Sequence, residues 1–223
     1  MLKELIAVWN YDSPLAELFK RFDEMLVIAK DMFSISTSYM NQEIADGSVC
    51  EQIIKMDSKL NTLQQVIRRD IVTHISVSGT NDVVPCLLLI SLTKDIERVG
   101  DYCKNIEEVF SRVQDLKKDP LASTLENMRK KIFVWFEQTQ KAFDTNDREL
   151  ARITREEAYL YEKECDRLVW GLVADINGRN GVAAALALRF FKRVIAHLGN
   201  ICTSVIMPFD KLDYFDKQQR GEG

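Results

Sequence analysis

Proline, glycine and histidine are scarce in this 223-residue sequence, which holds four, nine and two of them. So few breakers exclude a fold of many short strands, which needs turn residues roughly every 8–12 positions. Two histidines leave little for a histidine-ligated metal or a histidine proton relay. No apolar run approaches the roughly 20 residues that span a bilayer. The longest, Val83–Leu92 and Val182–Leu188, fall well short, and the first contains Pro85. Met1–Trp9 is short, carries Lys3 and Glu4, and has no cleavage site, so it does not read as a signal peptide. A cytoplasmic location is the expectation. Positive charge is not in excess either: the net charge is −4, which does not favour nucleic acid as a partner.

Cys50, Cys86, Cys103, Cys165 and Cys202 contain no Cys-x-x-Cys pair, and their odd number does not suit a disulfide framework. They read as small buried hydrophobes in a reducing compartment. A Gly-rich phosphate loop, a nucleophile elbow and a His-Glu-x-x-His metal motif are all missing. A carboxylate-bridged metalloenzyme on a helical bundle would need Glu-x-x-His pairs on two helices, and none is visible. An enzyme is therefore not expected.

What the sequence does contain is apolar residues at steps of three and four. Asp12-Ser13-Pro14 starts a helix, with proline where its missing N–H costs nothing. A stripe from Leu15 through Phe22, Ala29 and Phe33 to Met40 follows, stopping at Asp46-Gly47-Ser48. A second stripe, Ile53 to Ile75, ends at Ser78-Gly79-Thr80, and a third runs from about Asp82 to Leu116. Lys117-Lys118-Asp119-Pro120 closes it. Three more follow: Leu121 to about Ala142, Arg148 to Asp175, and Val182 to about Val205. Short connections make neighbours antiparallel. The expectation is an all-α protein of two tandem antiparallel three-helix bundles, at residues 1–118 and 119–223.

The second and third helices fold back at Gly79. Asp57 and Asp101 lie equally far from it along the chain, and so do Asn61 and Glu97. Within each helix the partners are four apart and share a face. Four oxygen-bearing side chains should therefore converge, a set that suits hard divalent cations or carboxylate-bridged iron. Asn105 continues that face. The same spacing also describes a solvated surface neutralised by Lys59, Arg68, Lys94 and Arg98 in ion pairs worth about 0.3–0.5 kcal/mol each. On spacing alone the solvated surface is favoured.

The third helix reads Lys94-Asp95-Ile96-Glu97-Arg98-Val99-Gly100-Asp101-Tyr102-Cys103-Lys104-Asn105-Ile106. This stretch resembles the signature of the PhoU family, an acidic-Leu-Glu-Arg-Ile-Gly-Asp-His-x-x-Asn-Ile pattern. The resemblance implies paired three-helix bundles. In some members it also implies metal clusters held by Glu/Asp-x-x-x-Asp motifs, here Glu97 with Asp101 and Asp57 with Asn61. It points to Asp95, Arg98 and Asn105 as further binding residues. Arg189–Ile201 aligns with the same signature but carries Lys192 and Ala196 in place of the acids, so the second bundle is expected to hold no cluster. Asp166 is expected to face Lys192 instead.

By resemblance, the protein is a cytoplasmic regulator of phosphate uptake. It would dock on a phosphate transporter component or a sensor kinase, reach the membrane only through that partner, and bind divalent or iron-type metal on the first bundle. A homodimer is compatible with this. An accessory regulator of a sodium- or proton-phosphate cotransporter and a metal-free helical adaptor are the alternatives.

Overall fold

The computed structural model describes residues 14–40, 47–79, 82–113, 120–174 and 181–212. Among them are six α-helices and no strand: α1 (Pro14–Ser36), α2 (Gly47–Ser78), α3 (Val83–Arg112), α4 (Ala122–Thr145), α5 (Arg148–Ala174) and α6 (Gly181–Ile206). Short 3-10 turns cover Ser38–Met40 and Phe209–Lys211.

The ends of these helices follow from local chemistry. α1 begins at Pro14, as expected, but stops at Ser36, short of Met40. Ser36 and Thr37 hydroxyls turn back onto the Phe33 carbonyl at 3.0 and 2.8 Å, and Thr37 also reaches the Ser34 carbonyl at 3.2 Å. These side chains compete for the carbonyls of the last turn, and the chain tightens into the 3-10 turn. α2 closes at Gly79, whose φ of 73° lies in the left-handed region that glycine enters freely. Asn146 plays that part after α4, at φ 51°, with its N–H directed to the Ala142 and Phe143 carbonyls. Asp147 then caps α5: its Oδ1 accepts from the Glu149 and Leu150 amides at 3.1 and 2.9 Å. α3 ends at Arg112, before the expected Leu116.

α1, α2 and α3 pack on one another, as do α4, α5 and α6. α5 buries a narrow stripe that includes Ala151, Ala158 and Cys165, and such small side chains let α6 lie close. The core does not stop between the two groups. α3 lies along α6 and α1 along α4. Phe33 on α1 meets Phe136 on α4 and Phe191 on α6, each at 5.7 Å between ring centroids, and Phe22 meets Phe143 at 4.9 Å. All five rings are buried, so apolar burial holds the halves together as well as each half within itself. The expected boundary at residues 118 and 119 lies outside the described residues.

Candidate functional site

The fold at Gly79 sets α2 against α3 in the expected register. Gln64 on α2 donates to the Thr93 carbonyl on α3 at 3.2 Å, and His74 meets Asp82 at 2.8 Å. Asp57 and Asp101 come level, and what lies between them is the ammonium of Lys104. Lys104 Nζ is 2.9 Å from Asp57 Oδ1 and 2.9 Å from Asp101 Oδ1. Asn61 Nδ2 donates to Asp57 Oδ2 at 3.2 Å. Burial works against the Lys104 charge. The hydrogen bonds to Asp101 and Asp57, with the negative charge of both, outweigh it and raise the Lys104 pKa. Lys104 stands three residues after Asp101, on the same face of α3. That spacing is the signal that reading the acids alone passes over.

The remaining expected residues split up. Glu97 turns along α3 to Lys94, 2.6 Å away. Arg98 approaches Asp101 at 3.5 Å. Asn105 lies half-buried on α3. Asp95 leaves this face altogether: its Oδ1 lies 2.7 Å from His197 Nδ1 and accepts from Asn200 Nδ2 at 3.0 Å, both on α6. A cation held by carboxylates needs their oxygens turned toward one point. Here an ammonium already takes one oxygen from each of two acids, and a third acid is engaged elsewhere. Among the described residues no three Asp, Glu, His or Cys side chains converge as a ligand set. The arrangement suits a lysine and does not suit a metal cluster.

The α5–α6 hairpin answers the expected pattern. Lys192 Nζ donates to Asp166 Oδ2 at 2.5 Å, and Arg189 adds a longer contact at 3.4 Å. Glu162, four residues before Asp166, pairs with Arg155 at 2.9 Å, both nearly free of solvent. Arg155 is a second residue that the acid spacing does not reveal.

Ser78, His74 and Asp82 fall in hydrogen-bond order, with Ser78 Oγ 3.4 Å from His74 Nδ1. Ser78 and His74 sit at the C-terminal end of α2, where free carbonyls and the helix dipole oppose a developing oxyanion, and Asp82 sits at the N-terminus of α3. The chain of contacts fastens the hairpin turn. Of the cysteines, four are buried as expected, and Cys50 is exposed.

With this geometry in view, comparison with known proteins points to one family. Residues 22–109, which carry the whole Asp57–Lys104–Asp101 cluster, match the PhoU domain. Over these residues the chain is similar to the PhoU family. Phosphate-specific transport system accessory protein PhoU homologs from two strains of Xylella fastidiosa are each 24% identical to it over 75 residues. That match spans 34% of this chain and 31% of each relative, so less than a third of the relatives' length is matched. The PhoU fold extends much further than the sequence likeness. The crystal structure of PhoU from Pseudomonas aeruginosa superposes with a TM-score of 0.76 at 16% identity, covering 86% of this chain and 95% of that one. The phosphate transport system regulatory protein PhoU from Streptococcus pneumoniae gives 0.75 at 17% identity, covering 89% and 94%. No helix among the described residues is long and apolar enough to cross a membrane.

Proposed function

We propose that this chain is a non-catalytic regulator of phosphate uptake that works by docking its helical surface on a phosphate transporter component or a sensor kinase. The match of residues 22–109 to the PhoU domain, in a chain with the PhoU fold along most of its length, carries this reading. The names of similar proteins, an accessory protein and a regulatory protein of phosphate transport, point the same way.

The surface supports binding better than chemistry. His74 and His197 are each already engaged with an aspartate. The tip of the α5–α6 hairpin exposes Trp170 at 68%, Val173 at 64% and Val182 at 72%. Trp is enriched in the energetic centres of protein interfaces, and these residues are the first place to seek a partner. The test is a chain deletion in the source cell, with phosphate uptake and capture of transporter and kinase components read together. Loss of the chain should raise uptake in phosphate-rich medium, and tagged chain should bring down a transporter or kinase component. Trp170→Ala should weaken that capture without changing thermal stability. Unchanged uptake together with no such capture would overturn the reading.

A further inference from the structure

Alignment of Lys94–Ile106 with Arg189–Ile201 sets Lys104 against Gly199, and the acidic motifs of the preceding helices set Asp57 against Glu162. In the α2–α3 hairpin the charge on Asp57 is met from across the pair, by the ammonium on α3. In the α5–α6 hairpin that route is closed, because glycine has no side chain to extend. Glu162 is met from its own helix instead, by Arg155. The guanidinium lies over Gly199. A Cβ added there would come 3.0 Å from Arg155 Cδ, 3.1 Å from Nε and 3.2 Å from Cζ. Two unlike residues on different helices thus deliver a positive group to corresponding places. Asp166, the second acid of that hairpin, is held by Lys192, which stands at the position of Glu97.

We infer that this chain carries its own cations where the PhoU resemblance implies metal, Lys104 between Asp57 and Asp101 and Arg155 against Glu162 over Gly199, so that both hairpins close without a divalent ion. A tethered ammonium competes at the high effective concentration of an intramolecular group. A metal ion would have to expel it and leave a partly buried charge without its partners, which is the costly way to break an ion pair. The same cation removes the repulsion that two level carboxylates would otherwise exert. Closure of the hairpins is then constant, and metal supply does not alter the surface the chain presents.

The experiment uses the full chain stripped with EDTA and titrated with manganese chloride, read by calorimetry and by thermal unfolding. Wild type should show no stoichiometric binding and no shift in Tm, and Lys104→Arg, which keeps a cation in place, should behave alike. Lys104→Ala removes the resident ion and should gain manganese affinity at least about tenfold above wild type, with a matching rise in Tm. Asp57→Asn added to Lys104→Ala should abolish that gain. If Lys104→Ala does not fold, Lys104→Gln, neutral and closer in length, replaces it with the same expectation. Stoichiometric manganese on the wild-type chain would overturn the inference. A neutral Lys104 variant that folds and responds no more than wild type would do the same.

Discussion

Tyr102 on α3 stacks on His197 on α6, with ring centroids 5.8 Å apart and planes 23° from parallel. The two residues hold the same place in the two aligned stretches. Asp95 reaches His197 from one side, and Phe190, which aligns with Asp95, packs on Tyr102 at 6.2 Å from the other. Corresponding positions therefore meet in both directions, as two like helices do when they cross about an approximate two-fold axis. One direction is polar and the other aromatic. Asp95 acts as a tie between the halves, so Asp95→Ala should leave His197 and Asn200 without their shared acceptor and cost about 1–3 kcal/mol. Urea unfolding measures this directly. A change below about 0.5 kcal/mol, the usual range for an ordinary surface site, would mean that the contact is incidental.

Arg155 and Glu162 should behave as a buried pair does. Removing one partner strands the other charge, and Glu162→Ala should cost about 3–5 kcal/mol. The double substitution Arg155→Met with Glu162→Leu should recover most of that loss, because apolar residues of similar volume need no counter-charge. A double-mutant cycle in urea separates the two cases. Additive losses would show that the pair is not coupled.

Gly100 lies inside α3, where a Cβ would come 2.7 Å from Leu60 Cδ1 and 3.7 Å from Met32. Gly100→Ala has helix propensity in its favour by about 1 kcal/mol. Against it, Leu60 is fully buried and has little room to move, and overpacking of this kind costs about 1–3 kcal/mol. The clash should win, and a net loss of stability is expected. Leu60→Val, which withdraws the obstructing atom, should restore part of it. A stabilised Gly100→Ala chain would contradict the close α2–α3 approach.

Asp144, at the end of α4, gives the chain a pH dependence with a definite sign. Burial, and then the negative charge of Asp23, raise its carboxyl from 3.8 to about 6. Its Oδ1 has no hydrogen-bond partner among the described residues. The folded state therefore holds the proton more tightly than the unfolded state. Stability from this group rises as pH falls through about 6 and is fully present below 3.8. Near neutral pH its ionised form is a burden. Asp144→Asn should stabilise the chain there by about 1 kcal/mol, a figure discounted for partial solvent screening. It should also flatten the stability profile between the two pKa values. Urea midpoints across that range are the measurement, and a variant with the wild-type profile would rule the effect out.

Much of the architecture was legible without coordinates because helices are local. Periodicity finds each buried face, and Gly79 and Asn146–Asp147 mark turns through backbone and capping chemistry that involves only near neighbours. Hairpin register was legible too, since a short turn leaves two antiparallel helices one alignment. That is why Asp57 comes level with Asp101, and Asp166 with Lys192. The candidate site was legible only in its acids. Their partners, Lys104 and Arg155, were not, because a long basic side chain settles where packing leaves room and charge remains unmet.

The sequence by itself determined six helices, their order and the pairing of neighbours, since each of these depends on residues close along the chain. Only the tertiary structure decided that α3 lies along α6, that Asp95 serves as a tie between halves, and that Lys104 and Arg155 face the acids of the hairpins. Those outcomes depend on how rods from distant parts of the chain share one apolar interior, and no single helix carries that information in its own pattern.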